Sequence, residues 1–133
     1  MTLDESQSAA APDEQQTPQQ RRVARHAKIA ALHADWRNRF PAAFTKPVPL
    51  AIGIVRQIRQ ALPPGTGSRD VSRAVHRWTQ RPSYLKAVAR GEARRNLDGS
   101  EAGVPDEAAR DYARRTLAER EQRARGATTS AAA

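Results

Sequence analysis

The stretch WTQRPSYLKAVARGEARRNLDGSEAG, residues 78–103, constrains the fold of this chain more than any other segment. It sets a proline, a short helical pattern, a run of arginines and an Asp-Gly pair within about one supersecondary unit. Pro82 suits the first turn of a helix, where its missing N–H is no loss and its fixed φ already fits. The pattern predicts that helix over Pro82 to about Arg90. Asp98-Gly99 predicts a two-residue type I′ turn joining Arg94–Leu97 to Ser100–Val104 as a hairpin. The N–H groups of Ser83, Tyr84 and Leu85 would lack intrahelical partners, and such an end favours an anion. Arg81 stands at its mouth, Tyr84 is expected to be exposed there, and Arg94 and Arg95 follow on the next strand. A phosphate or a terminal nucleotide would fit.

Proline and glycine also divide the rest of the chain. Ile29, Leu32, Trp36 and Phe40 recur at helical spacing, predicting a helix from about Ala24 to Arg39 that Pro41 ends. Ile54, Ile58 and Leu62 mark a second helix, stopped by Pro63-Pro64-Gly65. Ser68 is a candidate N-cap for a helix over roughly Arg69–Gln80. One side of that helix carries Val71, Ala74, Val75 and Trp78. The other carries Arg69, Arg73, Arg77 and then Arg81, in steps of four. Pro105 and Asp106 open a last helix running to about Arg123. The expectation is a compact, mainly α fold of about five to six helices with one small β-hairpin.

Residues 1–22 are rich in Gln, Ala, Ser and Pro and are expected to be a disordered acidic tail; residues 126–133 are expected to be a second. Residues 23–125 would then form the single domain, which suits 133 residues in all.

Charge narrows the class of partner. The chain carries a net +9, and residues 1–20 hold four of its 14 acids and none of its 23 bases. The remainder is therefore strongly basic, and a folded domain of that kind points to a polyanion. The arginine row has an ordinary alternative, a solvated helix face. Its single sign, interrupted only by Asp70, weighs against that. Trp36 and Trp78 lie on apolar faces and are expected in the core rather than as base-stacking platforms.

Several classes fall away. The chain has no cysteine, so disulfides, thiolate metal sites and cysteine catalysis are excluded. His26 and His33 stand seven apart and His76 is remote, without the carboxylate company of a metal or general-base site. No nucleophile elbow or P-loop is present. No apolar run approaches a membrane span, and the N-terminus lacks the pattern of a secretory signal. The expectations are a cytoplasmic, monomeric protein that is not an enzyme and uses no cofactor, metal, membrane or small-molecule substrate.

The block YLKAVARGEARRNLDG resembles the ProQ/FinO RNA-chaperone family, in which a Tyr-Leu pair, a basic Gly-containing loop, an Arg and a Leu-Asp-Gly hairpin follow in this order. RFPAAF (Arg39–Phe44) is similar to that family's helix-to-loop junction, and PLAIGI (Pro49–Ile54) to its Pro-Leu-x-Ile-Gly-Ile segment. RAVHRWTQRPSYL matches its arginine-rich helix and the Tyr-Leu helix that follows. The resemblance covers roughly Ala24 to Arg123, with the blocks in the right order and spacing. Two positions depart from it: Ala51 and Ser72 stand where the family often has lysine and arginine.

The resemblance implies a bacterial RNA-binding protein and RNA chaperone for structured RNAs. Its targets would be terminator-type hairpins with a single-stranded 3′ tail, in small-RNA-mediated post-transcriptional regulation. Partners would be small regulatory RNAs and mRNA 3′ ends. The family's matching tyrosine and arginine belong to a pocket for the RNA 3′ end, which places Tyr84 and Arg94 there, with Arg81 and Ser83 beside them. Truncating either of the first two is expected to weaken binding with little loss of fold. Arg69, Arg73, Arg77, Lys86, Arg90 and Arg95 are the candidate contacts to the RNA backbone. The alternative is a general basic nucleic-acid binder, of RNA or DNA, without 3′-end preference; a protein-interaction adaptor is a third class, one that would tolerate loss of the arginine row.

Overall fold

The computed structural model describes residues 15–132. Six helices make up most of it: α1 Pro18–Arg39, α2 Pro41–Phe44, α3 Ile54–Ala61, α4 Ser68–Thr79, α5 Pro82–Ala89 and α6 Glu107–Ala132. The expectation of a mainly helical fold is met, and several boundaries move.

Helix α1 begins at Pro18, so residues 18–22 are helix rather than tail. The local reason is a capping box. The Thr17 hydroxyl accepts the Gln20 N–H at 3.1 Å, and the Gln20 side chain accepts the Thr17 N–H at 2.8 Å. Helix α4 takes in Ser68, which was expected to cap it; Gly67 is the N-cap, with no side-chain hydrogen bond. Helix α6 continues past Arg123 to Ala132. Alanine, the best helix former, surrounds Gly126 and Thr128–Thr129 there and offsets their weak propensity. Of the expected tails at 1–22 and 126–133, residues 1–14 and 133 lie outside the described residues.

The hairpin is reduced to single bridges, Arg95 pairing in parallel with Leu50 and in antiparallel with Glu101. Its turn is not type I′, because Asp98 has no positive φ. The Gly99 N–H instead bonds the Asn96 carbonyl at 2.9 Å, and Gly99 alone is left-handed, with φ 88°. Leu97-Asp98 thus form the turn and Gly99 the bulge after it, which makes a three-residue loop. The Asp98 side chain accepts the Ser100 N–H at 2.9 Å, which fixes this geometry locally. A Cβ on Gly99 would stand 2.7 Å from the Ala42 Cβ, so the turn tip is pressed against α2.

The core joins all these elements. Trp36, Phe44, Ile58 and Val71 are fully buried. Phe44 sits between the two indoles, 5.3 Å from the Trp36 ring and 5.0 Å from that of Trp78. Such aromatic pairs contribute about 0.5–1.5 kcal/mol each beyond their buried area. Both tryptophans are core residues, as their apolar faces implied. Helix α1 packs on α4, and α5 packs on α6. Helix α5 closes with Gly91 at φ 76°, its N–H bonding the Val88 carbonyl while the Glu92 N–H bonds that of Ala87. These are the paired bonds of a Schellman motif, and they turn the chain back towards the bridge residues.

Candidate nucleic-acid interface

Helix α4 carries the apolar face on one side and the arginine row on the other. Val71, Ala74, Val75 and Trp78 are buried, while Arg69, Arg73 and Arg77 are exposed. Among the described residues, no carboxylate pairs with Arg69, Arg73, Arg77 or Arg81. Asp70, the one acid in the row, is drawn off by Lys28 at 3.0 Å.

Helix α1 supplies a second basic bank that the sequence reading missed. Arg21, Arg25 and Lys28 share one cleft with Asp70 and Arg73. Farther along, His26, Ile29, His33 and Arg37 line an open cleft of about 430 Å³ with Arg77 and Arg81. The signal was present, since 21, 25 and 28 are spaced to fall on one face of a helix. The expected tail takes in Arg21, which breaks that row at its first member.

At the start of α5 is a smaller cavity of about 110 Å³. Arg37, Thr45, Lys46, Pro47, Trp78, Arg81, Ser83 and Tyr84 line it. Arg81, Ser83 and Tyr84 were expected here; Arg37 and Lys46 come from segments distant in sequence. Arg81 is the N-cap residue of α5. The Leu85 N–H donates to the Arg81 carbonyl at 3.0 Å, so the open N–H groups of this end are those of Ser83 and Tyr84 only. The Arg81 guanidinium lies 4.2 Å from the Trp78 ring centroid, and that of Arg37 lies 5.7 Å from it. Two cations on one indole, without a carboxylate bonded to either among the described residues, make a strongly electropositive spot.

His33 touches both Trp78 and Arg81. The ring is 3 % exposed. Its Nε2 lies 2.7 Å from the Ala74 carbonyl and its Nδ1 lies 3.1 Å from Nη2 of Arg81. A carbonyl needs a donor and a guanidinium needs an acceptor, so the ring is neutral with its proton on Nε2. Burial holds the His33 pKa below its ordinary value; the charges of Arg81, Arg37 and Arg77 act in the same direction and the Ala74 bond opposes them. Burial, and then Arg37, likewise lower the pKa of Arg81.

Two expected site residues are placed differently. Tyr84 is buried, 7 % exposed, and its hydroxyl accepts the Leu50 N–H at 3.0 Å. Arg94 does not line the cavity; its Nη1 donates to the Leu50 carbonyl at 2.9 Å. The cause is the parallel bridge. Arg95 bonds the Pro49 carbonyl and the Ala51 N–H, so both polar groups of Leu50 face away from it and need side-chain partners. Tyr84 and Arg94 are those partners. The Tyr84 hydroxyl, having accepted one bond, still has its own proton to donate.

The other candidates divide. Lys86 is exposed on α5. Arg90 is tied to Glu92 at 2.7 Å. Arg95 donates to the Gly99 carbonyl at 3.2 Å and lies 3.8 Å from Glu101, within the bridge region. Among the described residues, no three His, Cys, Asp or Glu side chains gather as a metal site would require, and no helix is long and apolar enough to cross a membrane.

Comparisons with known proteins agree with this fold. The fold is similar to the crystal structure of a FinO-like RNA chaperone from Neisseria meningitidis, at 26% identity and a TM-score of 0.60, over 66% of this chain and 92% of that one. It is also similar to the solution structure of a ProQ homologue from Legionella pneumophila, at 24% identity and a TM-score of 0.56, over 71% of this chain and 83% of that one. No curated protein matches. The family model for the ProQ/FINO family matches residues 22–130, most of the chain, and the chain therefore belongs to the ProQ/FinO family.

Proposed function

We propose that this protein is an RNA-binding protein and RNA chaperone that recognises terminator-type hairpins with a single-stranded 3′ tail. One observation carries the reading: a row of exposed arginines on α4 leads into a small cavity ringed by Arg37, Lys46 and Arg81 at an open helix start. Phosphates of a stem would lie along Arg69, Arg73 and Arg77, which recur every ~6 Å along the helix axis. An A-form duplex hides its base edges in a narrow major groove, so such a row meets phosphate geometry rather than sequence. The α1 bank widens the same surface.

The end of the tail would enter the cavity. There the Ser83 and Tyr84 N–H groups, the Tyr84 O–H and the Arg81 guanidinium offer donors to a terminal sugar and its phosphate. Arg94 would act beside it, through the remaining N–H groups of a guanidinium already anchored on Leu50. The similarity to a FinO-like RNA chaperone supports the partner class. Small regulatory RNAs and mRNA 3′ ends in a bacterial cytoplasm are the partners proposed, and the role is binding and remodelling by a monomer rather than catalysis.

The test is the affinity for one hairpin carrying either a 3′ hydroxyl or a 3′ phosphate. A cavity this small should accept the hydroxyl and resist the added phosphate. Equal binding of both ends would remove the 3′-end reading and leave a general basic binder.

A further inference from the structure

We infer that His33 is a positioning residue: from the neighbouring cleft its ring holds the Arg81 guanidinium aimed at the RNA terminus. The inference rests on the reading of that cavity as a 3′-end site. Arg81 has reasons to leave. It is half-buried beside Arg37, and among the described residues no carboxylate holds it. An arginine so placed, on a flexible stem, would swing into water unless something fixed it. Two things do, the Trp78 face at 4.2 Å and the His33 Nδ1 at 3.1 Å.

The position demands histidine. Its occupant must be flat enough to stand edge-on to Trp78, whose ring centroid is 5.2 Å away. It must also donate to the Ala74 carbonyl on α4 and accept from Arg81 on the opposite side. Only a neutral imidazole with its proton on Nε2 meets all three conditions as a ring. Glutamine could meet the two hydrogen-bonding conditions without the packing. The Ala74 bond ties α1 to α4 at the base of the cleft, so the alignment of Arg81 depends on α1 remaining in place.

Protonation would undo the arrangement. A proton on Nδ1 removes the acceptor and sets a new charge against Arg81. The charged and titratable groups around the ring are Arg37 and His26 on α1, Arg77 on α4 and Arg81 itself, all basic. Arg81 then leaves its station. RNA phosphates stay ionised in this range, so general attraction to the basic surface does not fall with pH.

The experiment measures affinity for a hairpin with a 3′-hydroxyl tail and for the same hairpin cut blunt, from pH 7.5 to 5.0. Wild type, His33→Phe, His33→Gln, Arg81→Ala and the His33→Phe/Arg81→Ala double variant are compared, with circular dichroism checking each fold. Wild type should prefer the tail on the order of tenfold at pH 7.5, as one charge-assisted contact gives, and lose that preference as pH falls. His33→Phe should match Arg81→Ala at every pH, the double variant should lose nothing further, and His33→Gln should recover part of the preference. A wild type without tail preference would overturn the reading of the cavity and this inference with it. A tail preference that survives His33→Phe but not Arg81→Ala would overturn the inference alone, as would an unchanged pH profile in His33→Phe.

Discussion

Tyr84→Phe isolates one oxygen atom, and the structure says what that atom does before any RNA arrives. The hydroxyl accepts the N–H of Leu50, a residue only 2 % exposed, at 3.0 Å. Phenylalanine keeps the ring and its packing, so no cavity forms. It leaves a buried amide N–H without its acceptor. Such an orphan costs about 1–3 kcal/mol, more than the ~1 kcal/mol that a satisfied bond contributes net. At roughly 5 °C per kcal/mol for a domain near this size, Tm should fall by ~5–15 °C. Urea unfolding followed by circular dichroism measures the free energy directly, with the slope unchanged because the surface exposed on unfolding is the same. Arg94→Met should show a comparable loss, because it strips the Leu50 carbonyl of its donor. The expectation that Tyr84 and Arg94 could be truncated with little loss of fold therefore does not carry over. RNA affinities of such variants need their folded fraction beside them. A Tyr84→Phe protein as stable as wild type, to within ~0.3 kcal/mol, would refute the reasoning and free the hydroxyl for a purely RNA-facing role.

Replacing Arg73 and Arg77 together by alanine should weaken hairpin binding broadly and flatten the slope of log affinity against log salt by about one unit per lost contact; a slope equal to that of wild type would make the row a solvated face. Stability should fall as pH drops below the unfolded His33 value near 6.5. In the window down to its lowered native pKa the unfolded chain binds a proton that the folded chain refuses. His33→Phe should remove that part of the pH dependence, as read by thermal melts at pH 5.0 and 7.0. Gly99→Ala should destabilise by more than ~1 kcal/mol, because its φ of 88° disfavours a side chain and the added methyl would meet Ala42 at 2.7 Å; an unchanged melting temperature would show that the turn re-forms at no cost.

The local rules were legible wherever a residue's role is set by its near neighbours. Pro41, Pro63-Pro64 and Pro82 divide the helices as expected, and the two-faced pattern of α4 gave its buried and basic sides correctly. Long-range terms decided the rest. Tyr84 is expected to be exposed because it stands in the first turn of α5, near Arg81 and Arg94 in sequence, whereas its partner Leu50 lies 34 positions away. Asp98-Gly99 suggested one turn type, and the Ser100 bond to Asp98 selected another. Lys46 and Arg37 reach the cavity only through the packing of α1 and α2. His33 did leave a trace: a polar ring on the same face as Ile29, Leu32 and Trp36 is already asking for a buried partner.

Trp78 gives the protein an optical gauge of its own. The chain has two tryptophans. Trp36 is sealed at 0 % exposure, whereas Trp78 borders the cavity with guanidinium groups 4.2 and 5.7 Å from its ring. Those charges act directly on the indole's excited state, and anything that draws Arg81 or Arg37 towards a ligand changes the field it feels. Emission from Trp78 therefore follows the occupancy of the cavity itself, while ligands held only along the arginine row leave it dark to their presence.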